Sequence, residues 1–248
     1  PCDYVAAVNA RGADFLFENC EIDGCSGRGL SLGEGGTPTN ARILNNDFHD
    51  NLDPQSAYGN ADGLQGIWPA GATGIRIEGN RFWGNSDDGL DLFFAQSPAV
   101  VRGNWAFRNG FRENGTTLGG DGCGLKLGGN AYTVAHIVEE NLVFDNAGGG
   151  ISTNDNQAAN AIRRNTEIRN GRAGNGYPAS TIADGSSIAI LEDNVKYGGY
   201  PNYLGVNVVQ SYNSWNTPPG IGAESAAWFA SLNTTGVTGA RKQNGALP

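Results

Sequence analysis

The chain has 248 residues, 39 of them glycine, and a formal net charge of −9. An acidic surface argues against a nucleic-acid partner, because phosphate binding requires basic groups. It contains no apolar run of about 18 residues, the length that a membrane helix needs, so no membrane partner is expected. An anionic substrate stays compatible if a metal ion or a local basic cluster intervenes. Glycine is about twice its usual share, which predicts a turn-rich, mostly β chain.

The four cysteines bear on location. Cys2, Cys20 and Cys25 lie close to the N-terminus, which indicates a disulfide there with its pairing left open, whereas Cys123 stands apart. With no C-x-x-C spacing and two histidines, a zinc site is not expected. The chain has no leader segment and no methionine, so we expect the processed form of a secreted, extracellular and monomeric protein.

One short unit recurs along the chain. It consists of an alternating strand, a turn asparagine, a second short strand, and then a glycine with a third short strand, as in G-L-D-L. The copies lie at 15–22, 41–51, 74–85, 99–109, 136–146, 161–170 and 188–195. The turn asparagines are Asn19, Asn46, Asn80, Asn104, Asn141, Asn165 and Asn194. Two of the gaps between them are 24 residues, which gives the length of the repeating unit without its insertions.

Three strands per unit at a regular period predict an all-β parallel β-helix. Its asparagines can form ladders at equivalent corners. A β-sandwich is the alternative, but it explains only the short strands and not the recurring unit. We expect one domain over 1–248. Coils fill about 1–199, and an irregular tail at 200–248, with a short helix near 224–232, packs on them.

The repeat also gives a register for the charged residues. In G-L-D-L the two leucines point inward, so Asp91 points out, and Lys126 of G-L-K-L takes the same position one coil later. Gln65 and Ser152 extend this row in either direction. The match between N-A-D-G at 60–63 and S-D-D-G at 86–89 places Asp62 beside Asp88.

Four carboxylates therefore converge on one face: Asp62, Asp87, Asp88 and Asp91. Such an oxygen cluster suits Ca²⁺, which accepts several carboxylates in irregular geometry. The alternative is structural, because D-D-G alone is more often a solvated turn and a single lysine is usually a surface residue.

These motifs resemble those of polysaccharide lyase family 9. The resemblance is carried by N-A-D-G (60–63), N-S-D-D-G-L-D-L (85–92) and G-D-G-C-G-L-K-L-G-G (120–129), and it continues through 136–151, 211–216 and 235–241. It implies a right-handed parallel β-helix and calcium-dependent cleavage of pectate, an anionic polysaccharide. It further implies that the four aspartates bind Ca²⁺ and that Lys126 is the base.

The sequence departs from the family pattern at three places. Cys123 replaces an expected asparagine, Ser152 and Thr153 replace a more acidic and amide-rich segment, and the N-terminal coils are short. By the implied mechanism, Lys126 removes the C5 proton of a uronate and the C4 oxygen leaves, which gives a 4,5-unsaturated end. Lys126 must be neutral for this, so activity at alkaline pH is expected.

Substrate contacts and rival functions remain open. Arg102, Arg108 and Arg112 are candidates to bind substrate carboxylates, although such side chains are often simply solvated. The alternatives are a lyase of rhamnogalacturonan or another uronan, a hydrolase of the polygalacturonase type, and a non-catalytic, calcium-stabilised glycan-binding β-helix. The G-H-G and R-I-K motifs of polygalacturonases are absent.

Overall fold

The protein is built from three parallel sheets. The structure, a computed structural model, describes residues 5–171, 181–183, 187–216, 224–242, 244–245 and 247. Within these residues each coil contributes one strand to each sheet, except that the last coil, at 203–211, adds none to the third sheet, and every pairing between named strands is parallel. The only helical segments described are the 3₁₀ turns Pro54–Ser56 and Ala226–Trp228. This architecture confirms the predicted all-β parallel β-helix.

The strands are short because each spans one side of a coil. The first sheet contains β1 (Val8–Ala10), β4 (Leu30–Leu32), β7 (Leu64–Gly66), β10 (Leu90–Asp91), β13 (Leu125–Lys126), β16 (Ile151–Ser152), β19 (Thr181–Ala183) and β22 (Tyr203–Leu204). The second contains β2 (Leu16–Glu18), β5 (Arg42–Leu44), β8 (Ile75–Glu78), β11 (Ala99–Arg102), β14 (Ile137–Glu139), β17 (Ala161–Arg163), β20 (Ile190–Glu192) and β23 (Val209–Ser211). The third contains β3 (Glu21–Asp23), β6 (Asp47–His49), β9 (Arg81–Trp83), β12 (Trp105–Phe107), β15 (Leu142–Phe144), β18 (Thr166–Ile168) and β21 (Val195–Tyr197).

The core runs along the axis as stacks of like side chains. In the first sheet Leu30, Leu64, Leu90, Leu125 and Ile151 pair in register and are fully buried. Each such burial contributes roughly 1.5–3 kcal/mol relative to exposure. Because a slip of one residue would turn every leucine outward, these stacks fix the register of the charged residues between them.

Two asparagine ladders hold the turns. In the first, each side-chain amide donates to the carbonyl oxygen of the next asparagine: Asn46, Asn80, Asn104, Asn141, Asn165, Asn194 and Asn213. A second ladder, which the sequence analysis did not separate, joins Asn51, Asn85, Asn109, Asn146 and Asn170 at the turn before the first sheet. All twelve are buried, so each bond replaces water that the turn excludes.

Asn19 lies at a turn as predicted, but its expected place in the asparagine ladder is wrong. It is exposed with φ of 54°, and Cys20 instead donates its backbone amide to Asn46 at the start of the ladder. The left-handed position is the residue before each ladder asparagine, as at Asn45 and Gly79. Asn19 therefore satisfies the turn and not the ladder.

The coils continue beyond the expected end at residue 199. β22 and β23 extend the first and second sheets, and Asn213 ends the ladder. These strands lack the G-[LI]-x-[LI] pattern, so only their pairing with the preceding coil identifies them. The expected helix near 224–232 is a single 3₁₀ turn.

Residues of the tail lie on the outer face of the third sheet. Phe229, Leu232 and Val237 contact the apolar cluster of Phe107, Phe144 and Ile168. Near the other end Asp47 accepts hydrogen bonds from Arg81 and Arg241. Burial raises the pKa of Asp47, but these two guanidinium groups outweigh it and the pKa is lowered.

The predicted disulfide is not formed among the described cysteines. Cys20, Cys25 and Cys123 do not pair with one another, and Cys2 lies outside the described residues. Among the described residues, no helix has the length and apolar character required to cross a membrane.

Candidate active site

The acidic residues gather where the third sheet turns into the first. Asp62 and Asp88 occupy equivalent positions of adjacent coils, and the backbone amide of Asp88 donates to Asp62 Oδ1 at 3.1 Å. Asp87 precedes Asp88 in the same turn. Asn85 of the second ladder anchors this turn, because its side chain bonds both Asn109 and the carbonyl of Phe48. The aspartates are thus held by backbone that the ladder fixes.

Three of the four predicted metal ligands meet. One carboxylate oxygen from each of Asp62, Asp87 and Asp88 lies within 4.8 Å of the others. Oxygens that bind one calcium ion at 2.3–2.6 Å are up to about 5 Å apart, so this spacing fits Ca²⁺. Asp91 lies outside that group, and its Oδ1 accepts the amide of Phe93 at 2.8 Å.

Backbone amides of the next coil orient two of these carboxylates. Asp121 donates its amide to Asp87 Oδ1 at 2.7 Å, and Cys123 donates its amide to Asp88 Oδ1 at 2.6 Å. The bonds use the backbone, so the change from asparagine to Cys123 leaves this contact to Asp88 intact. The Cys123 side chain is fully buried.

The predicted row across the first sheet is confirmed by its register. Asp91 pairs with Gln65 on one side and Lys126 on the other, and Lys126 pairs with Ser152. Lys126 nevertheless does not project into solvent, since its side chain is 6% exposed. Its ammonium lies 5.6 Å from the centre of the Phe93 ring.

Lys126 is surrounded by carboxylates. Its Nζ lies 2.9 Å from Asp88 Oδ2, 2.8 Å from Asp121 Oδ2 and 4.0 Å from Asp91 Oδ2. The contact with Asp88 is an ion pair without an aligned hydrogen bond, so the fully buried Asp88 Oδ2 has no hydrogen-bond partner. The Lys126 ammonium is thus the close cationic partner of this buried oxygen.

The pKa values of the aspartates show that several buried carboxylates lie too close together for all of them to be charged without a compensating cation. Burial first, and then the neighbouring carboxylates, raise the pKa of Asp62 and of Asp87 well above the ordinary value. Burial raises the pKa of Asp88 to about 7 although Lys126 lowers it. Because like charges this close do not all ionise without compensation, a divalent cation fits the group.

The pKa of Lys126 reflects the same groups. Burial by itself lowers it, but the carboxylates of Asp88 and Asp91 act in the opposite direction and raise it above the ordinary value of a lysine. Lys126 is therefore protonated as long as Asp88 and Asp91 are ionised and no other cation is bound to them.

Sequence reasoning missed two contacts of the site. Asp121 joins it through both its backbone amide and its side chain. Arg28 stands one coil before Asp62 and donates to Gln65, whose amide in turn lies 3.5 Å from Asp91 Oδ2. The aligned turns held the clue for Arg28, which directly precedes its G-L pair as Asp62 does, whereas Asp121 lies outside that aligned position.

The three candidate arginines do not gather at the aspartates. Arg102 lies on the second sheet and pairs with Glu139. Arg108 donates to Thr234 of the tail, and the guanidinium of Arg112 lies over the Tyr58 ring. A role for any of them in substrate binding stays a prediction.

Comparison with known proteins identifies the family. Residues 3–186 match the family model described as the Pel9A-like, right handed beta helix region. The chain belongs to this family. The resemblance to polysaccharide lyase family 9 and the predicted right-handed β-helix are thereby confirmed.

Individual relatives agree. Pectate lyase L of Dickeya dadantii (strain 3937) is 33% identical over 238 residues, covering 96% of this chain and 53% of that protein. The crystal structure of pectate lyase Pel9A superposes with a TM-score of 0.81 and 30% identity, covering 98% of this chain and 58% of that one. A rhamnogalacturonan lyase matches with a TM-score of 0.70, and at 22% identity this likeness shows the fold alone. The chain spans about half the length of the relatives that it matches.

Proposed function

We propose that this protein is a pectate lyase that cleaves polygalacturonate by calcium-assisted β-elimination. The observation that carries the proposal is the position of Lys126, whose amine lies among Asp88, Asp91 and Asp121 beside the three-carboxylate group. A base beside a site for a hard cation is the arrangement needed to remove a proton next to a carboxylate. The named activity of relatives such as pectate lyase L supports this choice of substrate.

Asp62, Asp87 and Asp88 would hold the ion, with Asp91 at the edge of the group. Bound calcium would neutralise the carboxylates and withdraw electrons from the uronate carboxyl group, which makes the C5 proton more acidic. Asp88 and Asp91 are the groups that most raise the pKa of Lys126. A calcium ion bound beside them would offset their charge, which would lower the pKa of Lys126 and favour its neutral amine.

Lys126 then takes the C5 proton, and the C4–O bond breaks to give a 4,5-unsaturated non-reducing end. The electron pair of the C5–H bond becomes the new double bond, and the C4 oxygen leaves. Asp121 holds Lys126 from the solvent side, since its own side chain is 44% exposed. We expect the protein to act outside the cell, because its polymeric substrate is extracellular. We also expect a monomer.

The test follows ultraviolet absorbance of unsaturated uronides during incubation with de-esterified pectate, with Ca²⁺ and with excess chelator. We expect absorbance to rise only with Ca²⁺ and to be lost in Lys126→Ala. Lys242→Ala is the matched control, because Lys242 is exposed and lies in the tail. Rhamnogalacturonan serves as the second polymer. If only rhamnogalacturonan gives product, the substrate is rhamnogalacturonan and not pectate. If neither polymer gives product, the lyase proposal fails and a non-catalytic glycan-binding protein is favoured.

A further inference from the structure

A cavity lies beside the loop over 111–120, which precedes Asp121 of the candidate site. It has a volume of about 600 Å³, and its floor is formed by Leu52, Trp83 and Phe111. The loop folds back on itself through the Phe111–Leu118 bridge. It contacts the acidic turn through Gly120, whose amide donates to the carbonyl of Ser86.

The cavity is a hollow beside a stack of turn residues that contains one glycine. Asp50, Gly84, Arg108 and Asp145 occupy successive left-handed turn positions before the second ladder, with φ between 52° and 65°. A Cβ built on Gly84 would lie 2.4 Å from Asp50 Oδ1. A larger residue at position 84 would collide with the Asp50 carboxylate, so Gly84 gives Asp50 its place at the edge of the hollow.

Two guanidinium groups line this hollow, and the groups to which they donate hydrogen bonds are neutral. Arg108 donates to the Thr234 hydroxyl at 3.0 Å. Arg112 donates to the carbonyl of Leu118 at 2.9 Å and lies over the Tyr58 ring. Within the described part of the chain, no carboxylate forms an ion pair with either one. Both guanidinium groups belong to exposed residues of a protein whose net charge is −9.

The acidic groups that line the hollow are engaged elsewhere. Both oxygens of Asp145 accept from Arg169, at 2.7 and 2.8 Å. Glu113 accepts the Tyr58 hydroxyl at 2.9 Å, and Asp50 contacts His49 at 2.8 Å. An incoming anion would thus meet two guanidinium groups without carboxylate partners beside an apolar lining, and three carboxylates that already have their own hydrogen-bond partners.

We propose that this hollow is a second, metal-independent binding site for a uronic sugar unit of an acidic polysaccharide. Arg108 and Arg112 take the carboxylate, since guanidinium forks match its geometry. Leu52, Phe111 and the edge of Trp83 cover the apolar face of the ring. Trp83 offers only its edge, because it is stacked between His49 and Phe107. The sugar identity rests on the proposed function, and the site would tether a polymer beside the aspartates and raise its local concentration.

The experiment uses the full chain with Lys126→Ala, so that no cleavage occurs, and titrates it calorimetrically with trigalacturonate in excess chelator. We expect one saturable event that Arg108→Gln with Arg112→Gln weakens at least about tenfold, because charge-assisted hydrogen bonds are lost. The control is Arg42→Gln, an exposed arginine of the second sheet, which should bind as the parent does. The fully methyl-esterified trisaccharide should bind at least about tenfold more weakly, for the same reason.

Two results would overturn the site: no binding in chelator, or binding that the double substitution leaves unchanged. Circular dichroism of each variant excludes unfolding as the cause of a loss, and Arg112→Gln alone provides a milder variant. Adding Ca²⁺ tests the proposed function separately. A second event that Asp88→Asn removes supports it, whereas absence of that event together with persistent binding in chelator would sink the lyase proposal and leave this site standing.

Discussion

Lys126 Nζ and Asp88 Oδ2 lie 2.9 Å apart in adjacent coils, with side chains 6% and 0% exposed. The pair joins the proposed base to the proposed metal ligands through one contact. Because no aligned hydrogen bond connects them, the contact depends on charge and not on direction. A cation or proton that binds Asp88 therefore lowers the pKa of Lys126, because it offsets the negative charge that raises it.

Lys126→Arg separates charge from basicity. The substitution keeps a cation among the carboxylates, but arginine does not deprotonate in proteins, so it provides no base. We expect the rate of unsaturated-uronide formation at saturating pectate and Ca²⁺ to fall by at least about a hundredfold, the usual minimum for a general base. Calcium binding should survive. An arginine variant with near parental rate would remove Lys126 from the chemistry.

Calcium should stabilise the fold through the aspartates. We expect the melting temperature to rise with Ca²⁺ over chelator, since a ligand at a hundredfold its Kd adds about 2.7 kcal/mol. Asp62→Asn and Asp88→Asn should each reduce that rise, because each removes an oxygen donor and a charge from the group. Asp193→Asn, at an exposed turn, is the matched control. An equal rise in all variants would place the ion elsewhere.

The second asparagine ladder should matter for the metal site as well as for stability. Asn109→Ala removes the acceptor of Asn85 and the donor to the Phe82 carbonyl, all of them buried. Unpaired buried groups cost about 1–3 kcal/mol each, so the unfolding free energy should fall by about 2 kcal/mol or more.

The matched variant is Asn104→Ala, which breaks the first ladder at the same coil. We expect similar destabilisation by denaturant titration in both, but weaker calcium binding only in Asn109→Ala. The reason is that Asn85 leads directly into Asp87 and Asp88. Equal calcium affinity in the two variants would contradict a positioning role for the second ladder.

Glu167 should make stability depend on pH. It faces the core between Val143 and Lys196, and burial raises its pKa from 4.5 to about 8. The folded state then holds a proton that the unfolded state releases, so this stabilisation is complete below pH 4.5 and is lost as pH rises to about 8. Each pH unit of separation corresponds to about 1.4 kcal/mol.

Glu167→Gln lacks this proton. At saturating Ca²⁺, which holds the aspartates constant, the stability of the parent relative to the variant should fall between pH 5 and pH 8. The charged neighbour Lys196 is bound to Glu224 at 2.8 Å and stays in both proteins. Glu18→Gln, an exposed substitution on the second sheet, should show no such trend. Parallel pH curves for the parent and Glu167→Gln would rule out the linkage.

Much of the site was predictable because the same short sequence unit recurs in each coil, and aligning its copies gives the register. Alternation puts Leu90 and Leu92 inside, which leaves one orientation for Asp91, and the same argument applies to Lys126 one coil later. Asp62 follows from the same alignment. The sequence by itself therefore determined the β-helix and the row from Gln65 to Ser152.

Only the tertiary structure decided what surrounds that row. Asp121 reaches Lys126 from a loop whose path no repeat dictates, and the other carboxylate in close contact with Lys126, Asp88, comes from the preceding coil. Cys20, and not Asn19, occupies the ladder position, because its backbone amide is the one that donates to Asn46 of the next coil. A shift of one residue in a turn is visible only when the neighbouring coil is known. Arg102, Arg108 and Arg112 look alike in the sequence, yet one pairs with Glu139 and two line a hollow. Periodicity fixes which way a side chain points, whereas its partners come from other coils and from the tail, where long-range packing and not local pattern sets the distance.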